Sequence, residues 1–193
     1  CIVGLRENHD NNKIIRTGWP MEYMDDILTP YKGMQKRDLI LFPHRIAPEK
    51  QVEIFRDLAK QLPQYEFVVC QDSQLTKDEY HKLLGQSKLV FSANLQETLG
   101  ISWYEGAIVD AIPMVPDRLS YSEMALPEFK YPSEWTEDYH CYSANKQKVI
   151  DKIVDYMENY NSFRDKLNTQ VEVLTNEFFS CNQLLANIKG TSK

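Results

Sequence analysis

Between residues 38 and 116, short unbroken apolar runs alternate with longer stretches whose apolar residues recur every three or four positions. The runs are DLILF (38–42), YEFVVC (65–70), KLVFSA (88–93) and IPMVP (112–116). Such runs, bounded by polar residues, mark strands buried on both faces, as in a parallel sheet. The stretches between them predict helices. One covers about Glu49 to Leu62, with Val52, Phe55, Leu58, Ala59 and Leu62 on one face and Pro63 ending it. A second follows the N-cap candidate Thr76 to about Gly85, with Asp78 and Glu79 at its positive end. A third runs from Thr98 to Asp110. Strand–helix alternation with short connections predicts an α/β fold, a Rossmann-like parallel sheet flanked by helices.

The rhythm loosens at both ends. KIIRT (13–17) reads as a short strand broken by Gly18, Trp19 and Pro20, and residues 21–28 as a short helix. Two further helices are expected to pack back on the sheet. One carries Val149, Ile150, Ile153, Val154 and Met157, the other Phe163, Leu167, Val171, Leu174 and Phe178. The expected organisation is a tail or linker over 1–36, a Rossmann-like domain over 37–160, a C-terminal helix over 161–182 and a disordered tail over 183–193. Because the chain opens CIVGLREN without a methionine, it is expected to be a piece of a longer polypeptide.

Composition narrows the functional classes. The chain has 193 residues, enough for an ordinary core, and a net charge of −6, which argues against a dedicated nucleic-acid-binding surface. Cys1, Cys70, Cys141 and Cys181 form no CxxC pair and do not cluster with histidines, so no metal site is expected. Reduced cysteines point to a cytoplasmic setting. No run reaches the roughly 18 apolar residues of a membrane span.

Ligands of open parallel sheets bind beyond the carboxyl ends of the strands, and three segments fall there. FPHRIAPEK (42–50) places Arg45 and Lys50 five residues apart in a turn, where both can face one diphosphate; two solvated charges are the plainer alternative. QETLGISWYEG (96–106) carries Glu97 before the third helix and Glu105 within it. Eight residues of helix span about 12 Å, a suitable distance for holding the two ends of a sugar–diphosphate–nucleoside. Between them the N–H groups of Thr98, Leu99, Gly100 and Ile101 would favour a phosphate, and Gly100 would let it approach closely. Helix-dipole stabilisation by Glu97 and simple exposure of Glu105 are the alternatives. PDRLSYSEM (116–124) offers Asp117, Arg118, Ser120 and Ser122, or serves as an ordinary turn and N-cap.

Together these segments resemble the retaining nucleotide-sugar glycosyltransferases of family four, over roughly residues 13–180. Glu97 and Glu105 match the family's pair of glutamates separated by seven residues. GAIVDAIPMVP matches its downstream strand, and HRIAPEK its basic phosphate loop. PHR at 43–45 and PDRLSYSEMALPEFKY are similar to the tRNA-queuosine mannosyltransferase group and related viral sequences. The resemblance implies the C-terminal half of a GT-B fold that transfers a hexose with retention from a UDP- or GDP-linked donor. It gives the diphosphate to Arg45 and Lys50, the donor sugar to Glu97 and the ribose to Glu105, with Arg45, Lys50 and Glu97 as the catalytic set. It further implies an acceptor-binding N-terminal domain elsewhere in the polypeptide, with a modified nucleoside in nucleic acid or a glycan as acceptor. Two departures stand out. His44 replaces the usual glycine after the first strand and can add an imidazole contact. The connection between Cys70 and Thr76 is short and lacks a βα segment that many relatives carry. A nucleotide-sugar epimerase of the same architecture and a non-catalytic nucleotide-sugar-binding module remain alternatives.

Overall fold

The computed structural model describes residues 14 and 16–190. In chain order, α1 covers Tyr23–Leu28, β1 Leu39–Phe42, α2 Val52–Gln61, β2 Glu66–Val69, α3 Lys77–Gln86 and β3 Leu89–Phe91. Then follow α4 Ile101–Ile108, β4 Ile112–Pro116, α5 Tyr121–Met124, β5 Lys130–Tyr131, α6 Tyr139–Glu158, α7 Arg164–Val173 and α8 Asn182–Gly190. The five strands form one sheet in the order β2-β1-β3-β4-β5, parallel at every junction. β1 pairs Leu39 with Glu66 on one side and Ile40 with Leu89 on the other.

Side-chain alternation along these strands builds two cores, because successive residues point to opposite faces. Ile40, Phe42, Leu89, Phe91, Ile112 and Met114 face α2 and α6 and pack with Phe55, Leu58, Val149 and Ile153. Leu41, Val90 and Val115 face the other way, onto Leu84, Trp103, Tyr104, Leu174 and Phe179. Helices on both faces explain why the strand sequences are apolar without interruption.

The structure departs from the sequence reading near the ends of elements. The helix expected from Glu49 begins at Val52, because Pro48–Lys50 is a single 3-10 turn and Gln51 takes a left-handed φ of 53°. The helix expected from Thr98 begins at Ile101, after Gly100 at φ 68°. Thr76 does cap α3, in a reciprocal capping box with Glu79. The strand expected at KIIRT lies partly outside the described residues, and residues 14, 16 and 17 are not in a strand. In the segment before β1, Met21, Met24 and Leu28 are buried in the second core. The segment also packs against α3, where a Cβ on Gly85 would stand 2.7 Å from the Tyr31 carbonyl oxygen. The single C-terminal helix expected over 161–182 is instead α7, a π turn at Leu174–Phe178 and then α8. The π turn presents the Phe178 carbonyl to the Trp19 N–H at 2.8 Å. The tail expected to be disordered from 183 is helical to Gly190, with the Cys181 N–H held by Glu22 at 2.6 Å.

Candidate functional site

The carboxyl ends of β1, β3 and β4 open together, as a parallel sheet requires, and the loops after them carry the predicted residues. Two adjoining cavities of about 430 Å³ each lie there and share Pro43, His44 and Arg45. The first is completed by Lys50, Glu97, Thr98, Leu99, Gly100, Ile101 and Ser102. The second is bounded by the short connection after β2 and by Tyr80 of α3. The sequence therefore places eight of its nine site residues around the first cavity; Glu105 is the one that lines neither.

At the first cavity the two cations differ. Lys50 is buried, 8% exposed, contrary to the exposed side chain expected of a loop lysine. The 3-10 turn that begins at Pro48 turns its ammonium inward, where Nζ donates to the Gln96 carbonyl (2.6 Å) and to Glu97 Oε2 (3.0 Å). Arg45 remains exposed and pairs with Glu49 one turn away. Glu97 is the hub. Its Oε1 accepts the Thr98 and Gly100 N–H groups at 3.0 and 3.1 Å, and its Oε2 accepts Lys50 and the Asn94 amide, both at 3.0 Å. Burial pushes this carboxyl upward, but the Lys50 bond and charge and the Thr98 N–H outweigh it and hold the group below its ordinary value.

These bonds correct the expected phosphate cradle in part. Two of its four N–H groups, those of Thr98 and Gly100, already serve Glu97. Leu99, Ile101 and Ser102, whose N–H groups have no acceptor among the described residues, line the cavity. Gly100 answers to packing as well as to its left-handed φ: a Cβ there would lie 2.4 Å from the Trp103 indole. The expected straight 12 Å of helix between the glutamates is also absent, since Glu97 precedes α4 by a capping turn.

Two residues missed by sequence reasoning organise this end. Asn94, fully buried just beyond β3, donates through Nδ2 to Glu97 Oε2 and to the Tyr121 hydroxyl (3.0 Å), and the same nitrogen lies 3.4 Å from His44 Nδ1. An amide buried beside a carboxylate must turn its nitrogen toward it, which leaves Asn94 Oδ1 without a partner. Tyr121, also fully buried, meets Ser92 Oγ at 3.1 Å and the Trp103 edge. A polar residue directly after a buried apolar strand was the available signal for Asn94; Tyr121 offered none. His44 is buried, packs edge-on against Phe42, and has no partner for Nε2. Burial, helped by the Lys50 charge, pushes its pKa down to about 4, so it is neutral at pH 7.

Glu105, on α4, accepts the Tyr80 hydroxyl at 2.8 Å and lies 3.9 Å from His81 Nε2. Burial raises its pKa, against the Tyr80 bond and the Lys77 charge. The third predicted segment faces elsewhere. Arg118 donates to the Thr136 carbonyl at 3.0 Å and to its hydroxyl, latching the loop before α6, while Asp117 pairs with Lys130. Ser120 and Ser122 line neither cavity. Among the described residues no group of three or more His, Cys, Asp or Glu is placed to hold a metal ion, and no helix is long and apolar enough to cross a membrane.

No protein-family model and no curated protein matches the chain. Solved structures do. TarM superposes over 93% of this chain and 38% of its own, with 15% identity and a TM-score of 0.61. The pneumococcal O-GlcNAc transferase GtfA, solved with UDP and GlcNAc, covers 81% of this chain and 35% of its own, with 16% identity and a TM-score of 0.56. The catalytic domain of starch synthase IV from Arabidopsis thaliana, bound to ADP and acarbose, covers 88% and 41%, with 14% identity and a TM-score of 0.52. The chain thus spans well under half the length of each. At such identities the likeness is one of fold: five parallel strands between helices, as in the C-terminal half of a GT-B protein.

Proposed function

We propose that this chain is the donor-binding half of a GT-B glycosyltransferase that moves a hexose from a UDP- or GDP-linked sugar with retention. The observation that carries this reading is the pair of adjoining cavities at the carboxyl edge of the sheet, joined at His44 and Arg45 and ringed by cationic and N–H donors on one side. The diphosphate lies at the first cavity, against Arg45, Lys50 and the N–H groups of Leu99 and Ile101, with Thr98 and Gly100 in its wall. These groups stabilise the negative charge that grows on the departing diphosphate. The nucleoside extends into the second cavity, with its ribose toward the Tyr80–Glu105 pair. Glu97, expected in the catalytic set, acts instead as a positioning residue, the counter-charge that fixes Lys50. All its acceptor positions are met by protein donors, so a sugar hydroxyl donating to it would share an oxygen already bonded.

The acceptor, a modified nucleoside as in the queuosine-directed group or a glycan, belongs to an N-terminal domain outside this chain. Calorimetry against UDP and GDP, with a donor-turnover assay, tests the reading. The expected result is weak binding without transfer. Arg45→Ala should weaken that binding by about 1.5–3 kcal/mol, the worth of a charge-assisted hydrogen bond. No binding of either nucleotide, or robust transfer by residues 1–193 alone, would overturn it.

A further inference from the structure

Tyr80 and Glu105 stand differently to the second cavity. Tyr80 lines this space, together with Pro43, His44, Gln71 and Leu75, whereas Glu105 does not line it and meets it only through its bond to Tyr80. Resting on the donor reading above, we infer that the ribose-contacting group in this chain is the Tyr80 hydroxyl, and that Glu105 acts through it as a positioning residue.

The argument is one of donors and acceptors. Tyr80 and Glu105 come from different helices, α3 and α4, and meet at 2.8 Å. An ionised carboxylate can only accept, so the phenol must give it the single O–H proton. The phenol oxygen is then left with lone pairs alone, on a residue that lines the cavity. It is committed to accept, and the ligand group it fits is a donor: a sugar hydroxyl, not a phosphate oxygen. Around the carboxylate, the other nearby groups do not compete for the phenol. His81 Nε2 is 3.9 Å from the far oxygen, too distant to bond, and is itself buried without a partner. Lys77 contributes charge at a distance. Tyr31 lies edge-on to the His81 ring and gives its own hydroxyl to Asp78. The Glu105 side chain is 12% exposed, so its influence on a ligand in the cavity passes through the phenol it accepts from. The geometry assigns Glu105 the task of fixing the polarity of Tyr80, and Tyr80 the task of distinguishing ribose from a sugar lacking its hydroxyls.

The test is calorimetry with UDP, GDP and their 2′,3′-dideoxy counterparts, on the chain as it stands and on Tyr80→Phe and Glu105→Gln. The unaltered chain should prefer the ribonucleotides about tenfold, the effect of about one net hydrogen bond. Tyr80→Phe keeps the ring and should bring the ratio to about one, with some loss of melting temperature because the buried Glu105 carboxylate loses its donor. In Glu105→Gln the amide oxygen still accepts the phenol proton, so the ratio should persist within about threefold. Loss of the preference in Glu105→Gln, its survival in Tyr80→Phe, or no preference in the unaltered chain overturns the assignment. If Tyr80→Phe fails to fold, the Glu105→Gln ratio decides alone. Failure of the unaltered chain to bind any of the four nucleotides overturns the donor reading itself, a result distinguishable from the others.

Discussion

Glu97 and Glu105 are the same residue type in one motif, yet their surroundings assign them different chemistry. Glu97 sits in a capping turn where four donors converge, so its charge is held and its oxygens are occupied. Glu105 is packed between two helices with one hydroxyl as donor, and burial raises its pKa. A carboxylate surrounded by donors is a structural anchor whose loss strands its partners. A carboxylate with one donor is a tuned group, and its loss leaves little behind unpaired. The two cations divide in the same way, Lys50 buried on Glu97 and Arg45 exposed on Glu49.

The largest effect should come from breaking the anchor. Lys50→Ala leaves a largely buried carboxylate without its counter-charge and should cost about 3 kcal/mol, the lower end for a broken buried pair given the remaining solvent contact. Urea unfolding measures it; a cost as small as that of Arg45→Ala would erase the distinction between the cations. Next comes pH. His44 is neutral when folded, with a pKa of about 4, and unfolded it titrates near 6.5. The unfolded chain therefore binds more protons between these values, and stability falls with pH from about 6.5 downward. By pH 5 this amounts to about 2 kcal/mol for one such group. Glu97, held below its ordinary value, loses its contribution only at lower pH, as its carboxyl protonates. In His44→Gln the loss between pH 7 and 5 should shrink, and an unchanged pH profile would mean the ring is not held neutral. At the second cavity, Glu105→Gln should change stability by less than about 1 kcal/mol, toward stabilisation, because a raised carboxyl pKa makes the ionised form costly at pH 7. A large loss there would show that Glu105 anchors structure as Glu97 does. Smallest of all, Arg45→Ala should shift stability by no more than about 0.5 kcal/mol, since an exposed pair contributes little.

Much of this was legible in the sequence. The four apolar runs became β1 to β4, the amphipathic stretch before Pro63 became α2, and Thr76 capped α3. Strand ends also located the cavities, because a parallel sheet with helices on both faces leaves its carboxyl edge open. The boundaries that moved, at Gln51 and Gly100, moved because left-handed residues end or delay a helix whatever the apolar period suggests. Residues after 160 were harder to read: a π turn and the turn leading into the final helix depend on the Arg16–Glu22 segment, far away in the chain.

What the sequence determined by itself was therefore the local and the periodic: which runs are strands, which faces are apolar, and which loops carry charge at the carboxyl edge. Tertiary structure alone decided what each charge does. Lys50 and Glu97 are 47 residues apart, Tyr80 and Glu105 25 apart, and Asn94 and Tyr121 27 apart. Hydrogen bonds act over about 3 Å of space, not along the chain. Only the packing of β1, β3, α3 and α4 could bring those partners together, exclude water from them, and so make one glutamate an anchor and the other a tuned acceptor.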